Sequence, residues 1–361
     1  MTAVLEPVTR STPTPLPGGG AAFDLEVRVK AVVAVTHDVS TFVLEPPGPR
    51  AFSFAPGQYL VLSVTVDGRR LQRCYTISSP PTRPHLLTIT VKRTPGGPVS
   101  TYLHDQVRVG SRLQVSGPYG DFSLAGYPSD RYLLLSAGSG ITPMLSMTRT
   151  LADLAESADV AFVHSARTPA DLICRTELEA LAAGGLTLRL SAICEGIDPG
   201  QVWVGPRGRL GAPLLQALVP DVAQREVFLC GPPPYMAAMS AALRELGVPP
   251  QRCHLESFTL PEVAPASPVA ATAVATRSVE FRRSGRTVPC PEGTTVLQAA
   301  VAAGVPLRSA CGQGLCGTCK SDLLSGDVDI RHAGGIRPRE IAAGKFLPCC
   351  SYPLGDVVVD A

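Results

Sequence analysis

Five of the chain's 11 cysteines fall in its last 51 residues, and their spacing limits the fold more than any other feature. Cys311-Gly-Gln-Gly-Leu-Cys316-Gly-Thr-Cys319 follows the pattern C-x4-C-x2-C. Twenty-nine residues then separate Cys319 from Cys349, with Cys350 beside it. The other six (Cys74, Cys174, Cys194, Cys230, Cys253, Cys290) are scattered singly. An odd total, in a chain whose first residues lack the basic and apolar stretches of a secretory signal, argues against a disulfide framework. A short loop carrying three thiols argues for metal.

Zinc sites made of four cysteines usually pair two short C-x2-4-C loops. Three cysteines on one loop with a remote fourth is instead the [2Fe–2S] spacing. Such a loop must wrap tightly around the inorganic core, and glycines at 312, 314 and 317 allow it. On spacing alone the fourth ligand is either Cys349 or Cys350.

The chain has 361 residues, enough for two or three domains. Its hydrophobic share of 45% excludes extended disorder, and a net charge of +2 gives no basic excess for a partner held by phosphate contacts. No apolar run reaches the length of a membrane span, so a cytoplasmic protein is expected. Residues 1–22, rich in Pro, Thr and Gly, read as a disordered leader. From 23 to 125 short Val- and Thr-rich runs bounded by turn residues predict an antiparallel barrel. From 126 to 259 apolar strands alternate with helices, which predicts a parallel α/β sheet. Residues 260–277 form a Pro- and Ala-rich tether, and 278–361 form a third unit carrying the cysteine cluster.

Several segments carry ligand chemistry. Arg73-Cys74-Tyr75-Thr76-Ile77-Ser78 lies on a barrel strand, where alternation places Arg73 and Tyr75 on one face. Gly96-Gly97-Pro98-Val99-Ser100-Thr101 opens a short helix, with Ser100 expected as its N-cap and the helix end suited to a pyrophosphate. Gly117-Pro118-Tyr119-Gly120-Asp121-Phe122 reads equally as a plain turn or a ligand contact. Gly138-Ser139-Gly140-Ile141-Thr142-Pro143 follows an apolar strand, with two glycines of a dinucleotide fingerprint, Thr142 as a cap and Pro143 at the first helical position. Cys230-Gly231-Pro232-Pro233 ends a later strand. Arg167, in His164-Ser165-Ala166-Arg167, falls where the adenosine ribose of a dinucleotide should lie.

Together these segments resemble the ferredoxin–NADP reductase superfamily. The resemblance implies an antiparallel β-barrel flavin domain, an α/β parallel-sheet nicotinamide domain and an α+β β-grasp ferredoxin domain. It implies that Arg73 meets the flavin phosphate, Tyr75 stacks on the isoalloxazine and Thr76 bonds its polar edge. Ser78, Gly97, Val99, Ser100, Thr101 and Phe258 are the other implied flavin contacts. Gly138, Gly140, Thr142, Pro143, Arg167, Cys230, Gly231 and Pro232 would hold NAD(P), with Cys230 and Glu256 as the catalytic residues. Related reductases with the H-S-A-R segment include NADH users, so NADH is expected, with NADPH open. The domain order and the G-P-Y-G-D-F segment resemble FAD users, with FMN the minority alternative. Leu347-Pro348-Cys349-Cys350-Ser351-Tyr352-Pro353 resembles the ending L-x-C-x-x-Y-P of plant-type ferredoxins. That alignment makes Cys349 the fourth ligand beside Cys311, Cys316 and Cys319.

Reduced nicotinamide gives two electrons as hydride, a [2Fe–2S] cluster takes one, and a flavin can deal in both. The expected path is NAD(P)H to FAD to [2Fe–2S] to an outside acceptor. Neither Cys-x-His nor Cys-x-x-His of a Rieske centre occurs, which places the terminal oxidase in another protein. Leu323–Val328 and His332–Ile341 look like reductase subunits of glycine betaine monooxygenase and related Rieske demethylases. The expected partner is therefore a separate Rieske-type oxygenase acting on a quaternary ammonium compound such as glycine betaine, served by a monomeric reductase. Alternatives are reductases of a hybrid cluster protein or of another hydroxylase or desaturase, and a redox sensor, against which the nicotinamide site argues. Lys320, Arg331, Arg337, Arg339 and Lys345 flank the cluster loop, either as a docking patch for an acidic partner or as a solvated loop.

Overall fold

The computed structural model of the chain describes residues 23–258, 276–305, 307, 314, 317, 319–332, 335–336 and 338–361. The expected leader, most of the tether, Cys311, Gly312, Cys316 and Arg337 lie outside these residues.

The first unit contains β1 (Phe23–Ala34), β2 (Val39–Glu45), β3 (Tyr59–Val66), β4 (Arg69–Thr76), β5 (Leu87–Lys92), α1 (Pro98–Asp105) and β6 (Arg112–Tyr119). In β1, Leu25, Val27 and Val29 turn inward between exposed Asp24, Glu26, Arg28 and Lys30, the period-two pattern of a half-buried strand. The antiparallel order is β4-β3-β6-β1-β2-β5. The two edges then meet, because Ile77 bridges Ile89 and Ser78 N donates to Thr88 O at 2.8 Å. The sheet thus closes into the expected barrel, around Phe42, Phe54, Leu60 and Leu62. Helix α1 starts two residues before the expected cap. Gly97 is its N-cap, and Ser100 sits in the first turn, donating to Gly97 O at 3.1 Å. Pro98 decides this, since its fixed φ and missing N–H suit the first helical position.

The second unit contains β7 (Arg131–Ala137), α2 (Ile141–Asp153), β8 (Asp159–Ala166), α3 (Arg175–Ala182), β9 (Leu188–Cys194), α4 (Ala212–Leu218), β10 (Glu226–Cys230), α5 (Pro233–Glu245) and β11 (Cys253–Glu256). Its parallel sheet runs β11-β10-β7-β8-β9. The chain steps from β7 out to β9 and then returns to lay β10 on the other side of β7. That reversal opens a crevice beyond the carboxyl ends of β7 and β10, where ligands bind in such sheets. Strand β11 was not foreseen: Cys-His-Leu-Glu has no apolar run, and pairing with β10 defines it. A tight turn over Gly138–Gly140 runs straight into α2, so Thr142 and Pro143 are its second and third residues. Thr142 Oγ1 donates to Ser139 O at 3.1 Å instead of capping. Val39, Phe122 and Leu124 pack with Ile141, Met144, Met147 and Phe228, so the first two units share one core. Phe122, 5.3 Å from Phe228 between ring centroids, is a packing residue of that shared core.

The third unit contains β12 (Thr276–Phe281), β13 (Arg286–Pro291), α6 (Val296–Ala302), β14 (Ser321–Ser325), β15 (Val328–Ile330), α7 (Pro338–Ala342), β16 (Lys345–Phe346), β17 (Ser351–Pro353) and β18 (Val357–Val359). Thr276 and Arg277, assigned to the tether by composition, pair with Pro291 and Cys290. The main sheet, β13-β12-β18-β14-β16, is mixed, and α6 packs on it through Val296 and Ala300 against Phe281, Phe346 and Val359. Thr295 starts α6 with a capping box to Gln298. The unit's buried clusters are built from its own residues. Among the described residues no helix is long and apolar enough to cross a membrane.

Candidate functional site

On β4, Arg73 and Tyr75 face Leu62 and Leu60 of β3, so they share a face as alternation requires. Tyr75 packs against the barrel core, and burial pushes its phenol above the usual range. Thr76 is buried with no partner for Oγ1. An unpaired buried hydroxyl costs about 1–3 kcal/mol, so a ligand's polar edge fits there. Ser78 is already used by the barrel, its Oγ lying 2.9 Å from Thr88 Oγ1 and 3.0 Å from Thr90 Oγ1. Gly97, Val99, Ser100 and Thr101 form the start of α1, where no side chain caps the helix and its leading N–H groups suit an anion. Phe258 is 39% exposed, which excludes a core role.

The crevice is shaped by missing side chains. A Cβ on Gly140 would lie 2.3 Å from Cys230 O, and one on Gly231 would lie 2.7 Å from Tyr235 Cδ1. The two loops therefore touch backbone to backbone. Helices α2 and α5 both begin there, the latter capped by Pro232, and their positive ends fit a pyrophosphate. Glu256, Cys230, Ser136 and His164 are successive partners across four strands, forming a polar row that is buried at Cys230, Ser136 and His164 and half-buried at Glu256. Burial pushes the Glu256 carboxyl up to about 8 and the Cys230 thiol well up, so both are neutral near pH 7. The two expected catalytic residues are thus neighbours. Burial also pushes His164 down to about 4, and its Nδ1 lies 2.8 Å from Ser136 Oγ. Glu256 Oε2 and His164 Nε2 have no partner. Ser136 was not singled out from the sequence, and His164 was read only as part of the H-S-A-R segment; the signal for their shared role was a polar residue interrupting each apolar strand.

Beyond β8, Arg167 does not stand alone. Its Nη2 donates to Asp171 Oδ1 at 2.9 Å and lies 3.8 Å from Asp38 of the barrel. Lys92 pairs with Asp38 at 2.8 Å, so two cations already face two carboxylates. Sequence reading missed both aspartates: Asp38 is distant in the chain, and Asp171 lies four residues on from Arg167.

In the third unit, Cys319, Cys349 and Cys350 are buried with Ile336 and Leu347. Gly314, at φ +67°, donates its N–H to Cys349 Sγ at 3.2 Å. A Cβ there would lie 2.4 Å from Cys350 Sγ, and one on Gly317 would lie 2.7 Å from Gly335 O. Close backbone wrapping and an N–H···S bond fit a cluster loop. Cys350 Sγ lies 3.6 Å from Leu347 O as a donor.

Residues 26–124 match the oxidoreductase FAD-binding domain, 134–241 the oxidoreductase NAD-binding domain and 279–354 the 2Fe-2S iron-sulfur cluster binding domain. The chain is similar to the glycine betaine monooxygenase reductase subunit of Pseudomonas aeruginosa, 42% identical over 349 residues covering 92% of this chain and 94% of that one. It is similar to the stachydrine N-demethylase reductase subunit of Rhizobium meliloti, 40% identical over 328 residues covering 90% and 93%. Its fold is shared with phthalate dioxygenase reductase, at a TM-score of 0.59 and 24% identity over 94% of this chain and 98% of that one. With three cofactor domains in this order, the chain belongs to the family of NAD(P)H-dependent oxidoreductases that pass electrons through FAD to a C-terminal [2Fe–2S] cluster.

Proposed function

We propose that this chain is the reductase component of a separate Rieske-type oxygenase that demethylates a quaternary ammonium compound such as glycine betaine. The observation that carries the reading is 42% identity along 92% of the chain to a protein of matching extent and named role. When bound, the nicotinamide supplies a hydride, the flavin takes up both electrons and the cluster accepts them singly. This chain's residues hold those groups in line. Arg73, Tyr75, Thr76 and the α1 turn Gly97–Thr101 hold the flavin, with Phe258 beside it. Gly138, Gly140, Thr142 and Pro143 cradle the pyrophosphate, and Cys230, Gly231, Pro232 and Glu256 border the nicotinamide. Cys311, Cys316, Cys319 and Cys349 hold the cluster; the bond from Gly314 N–H to Cys349 supports that choice over Cys350.

NADH is the preferred donor in this reading. A 2′-phosphate dianion would meet Arg167 already engaged by Asp171 and Asp38, whereas a 2′-hydroxyl adds no charge. The test is anaerobic rapid mixing of the NADH-reduced protein with a purified Rieske oxygenase encoded beside it. The reading requires the Rieske absorbance to bleach within a catalytic turnover and, once oxygen is admitted, the oxygenase to demethylate its substrate. Reduction of a hybrid cluster protein, with every neighbouring oxygenase left oxidised, would replace it with the alternative acceptor.

A further inference from the structure

Helix α2 begins at the Gly140 cradle and runs back along the flavin domain. Ser146, Arg149 and Asp153 are spaced i, i+3, i+7 and so form one stripe. All three meet the segment that leaves flavin strand β4. Ser146 Oγ donates to Ser79 O at 2.8 Å. Arg149 Nη1 donates to Ser78 O at 2.6 Å, while its Nε and Nη2 grip Glu177 of α3 at 2.7 and 2.6 Å. Asp153 accepts from Thr82 Oγ1 and from Arg83 Nε and Nη2, the latter two at 2.9 and 2.6 Å. Ser146 is fully buried and the Arg149 side chain is only 12% exposed, so the seam is internal at these two residues and reaches the surface at Asp153 and Arg83.

The seam joins two places that must be in register. Ser78 lies two residues beyond Thr76 and is tied to β5 through Thr88 and Thr90. Ser146 lies one and a half turns beyond Gly140. Apolar packing between the two domains alone would tolerate sliding, but bonds to two successive carbonyls define one position. The barrel also approaches α2 without side chains, since a Cβ on Gly57 would lie 2.7 Å from Met147 Cε. We infer that this seam sets the distance of the nicotinamide from the flavin, with Arg149 as a positioning residue that touches neither. Hydride transfer needs reacting atoms about 3–3.5 Å apart, and an error of about 1 Å can cost 10²-fold in rate. The inference rests on the FAD and NAD assignments and involves no acceptor protein, so it stands or falls apart from the oxygenase reading.

The test uses Arg149→Ala in the full-length protein carrying flavin and cluster. With saturating NADH and no oxygen, the flavin bleaching rate should fall about 10- to 100-fold. The dissociation constant for NAD+, which is not turned over, should change less than about twofold, a split between binding and rate. The long-wavelength charge-transfer absorbance of nicotinamide against flavin should weaken, while flavin content and the cluster spectrum stay unchanged. Arg149→Lys should recover part of the rate, because an ammonium can still donate to Ser78 O. If Arg149→Ala fails to fold, Ser146→Ala removes the bond to Ser79 O and Glu177→Gln loosens the brace on Arg149, and each should slow bleaching to a smaller degree. Unchanged bleaching and an unchanged charge-transfer band in the folded variants would overturn the inference. So would a rate loss that merely tracks lost flavin.

Discussion

Cys349 and Cys350 are adjacent and both buried, yet their sulfurs do opposite things. Cys349 Sγ accepts the Gly314 N–H, and Cys350 Sγ donates to Leu347 O. A cluster ligand must be a thiolate acceptor, so Cys349→Ser should abolish the visible iron–sulfur spectrum and Cys350→Ser should retain it. Iron content per chain checks both, and the reverse outcome would exchange the assignments. Glu256 gives a second expectation at this scale. Its carboxyl is pushed from about 4.5 unfolded up to about 8 folded by burial. Between those values the folded state holds a proton that the unfolded state has lost, so stability falls as pH rises through the window. The urea midpoint should therefore drop between about pH 5 and pH 8, and Glu256→Gln, neutral throughout, should flatten that fall. Equal slopes in both proteins would show that Glu256 is ionised in the fold.

The order of strands and helices was legible because apolar runs of β7, β8 and β10 are buried on both faces, and β7 and β10 run directly into glycine. Starting residues were less so: at α1 Pro98 in the first helical position moved the cap from Ser100 to Gly97, and at α2 the Gly138–Gly140 turn displaced Thr142 from the cap. Strand β11 escaped because only pairing with β10 defines it. The glycine motifs were legible for a physical reason, since Gly140 lies against the end of β10. Gly140→Ala puts a methyl 2.3 Å from Cys230 O. It should cost about 1–3 kcal/mol of stability through overpacking. It should also weaken NAD+ binding at least about tenfold, while the flavin and cluster spectra persist. Calorimetric titration with NAD+ measures this, and wild-type affinity would remove Gly140 from the nucleotide site. The α2 seam and the approach of Asp38 to Arg167 were not legible, because the partners come from segments far apart in the chain. The basic residues near the cluster changed meaning for the same reason. Lys320, Arg331 and Lys345 pair with Glu340, Asp329 and Asp322 at 2.7, 2.7 and 2.8 Å, which weakens the case for a basic docking patch.

At the scale of the whole molecule, the shared core and the separate third unit define where the chain can be cut. A chain ending at residue 270 keeps both sides of the core formed by Val39, Phe122, Leu124 and Phe228. It should bind FAD and reduce ferricyanide with NADH at the full-length rate, but reduce cytochrome c poorly. A chain ending at residue 125 strands Val39, Phe122 and Leu124 without their partners and should aggregate or lose flavin. Size-exclusion chromatography with flavin absorbance distinguishes the two, and a soluble, flavin-loaded short form would show that the shared core is dispensable. The central claim is that electrons reach the cluster only by way of the flavin. The most direct measurement strips FAD from the full-length protein, leaves the cluster in place, and follows the cluster's absorbance under NADH without oxygen. The account predicts that the cluster stays oxidised until FAD is added back and then bleaches after the flavin. Reduction of the cluster by NADH at an unchanged rate in the flavin-free protein would contradict it.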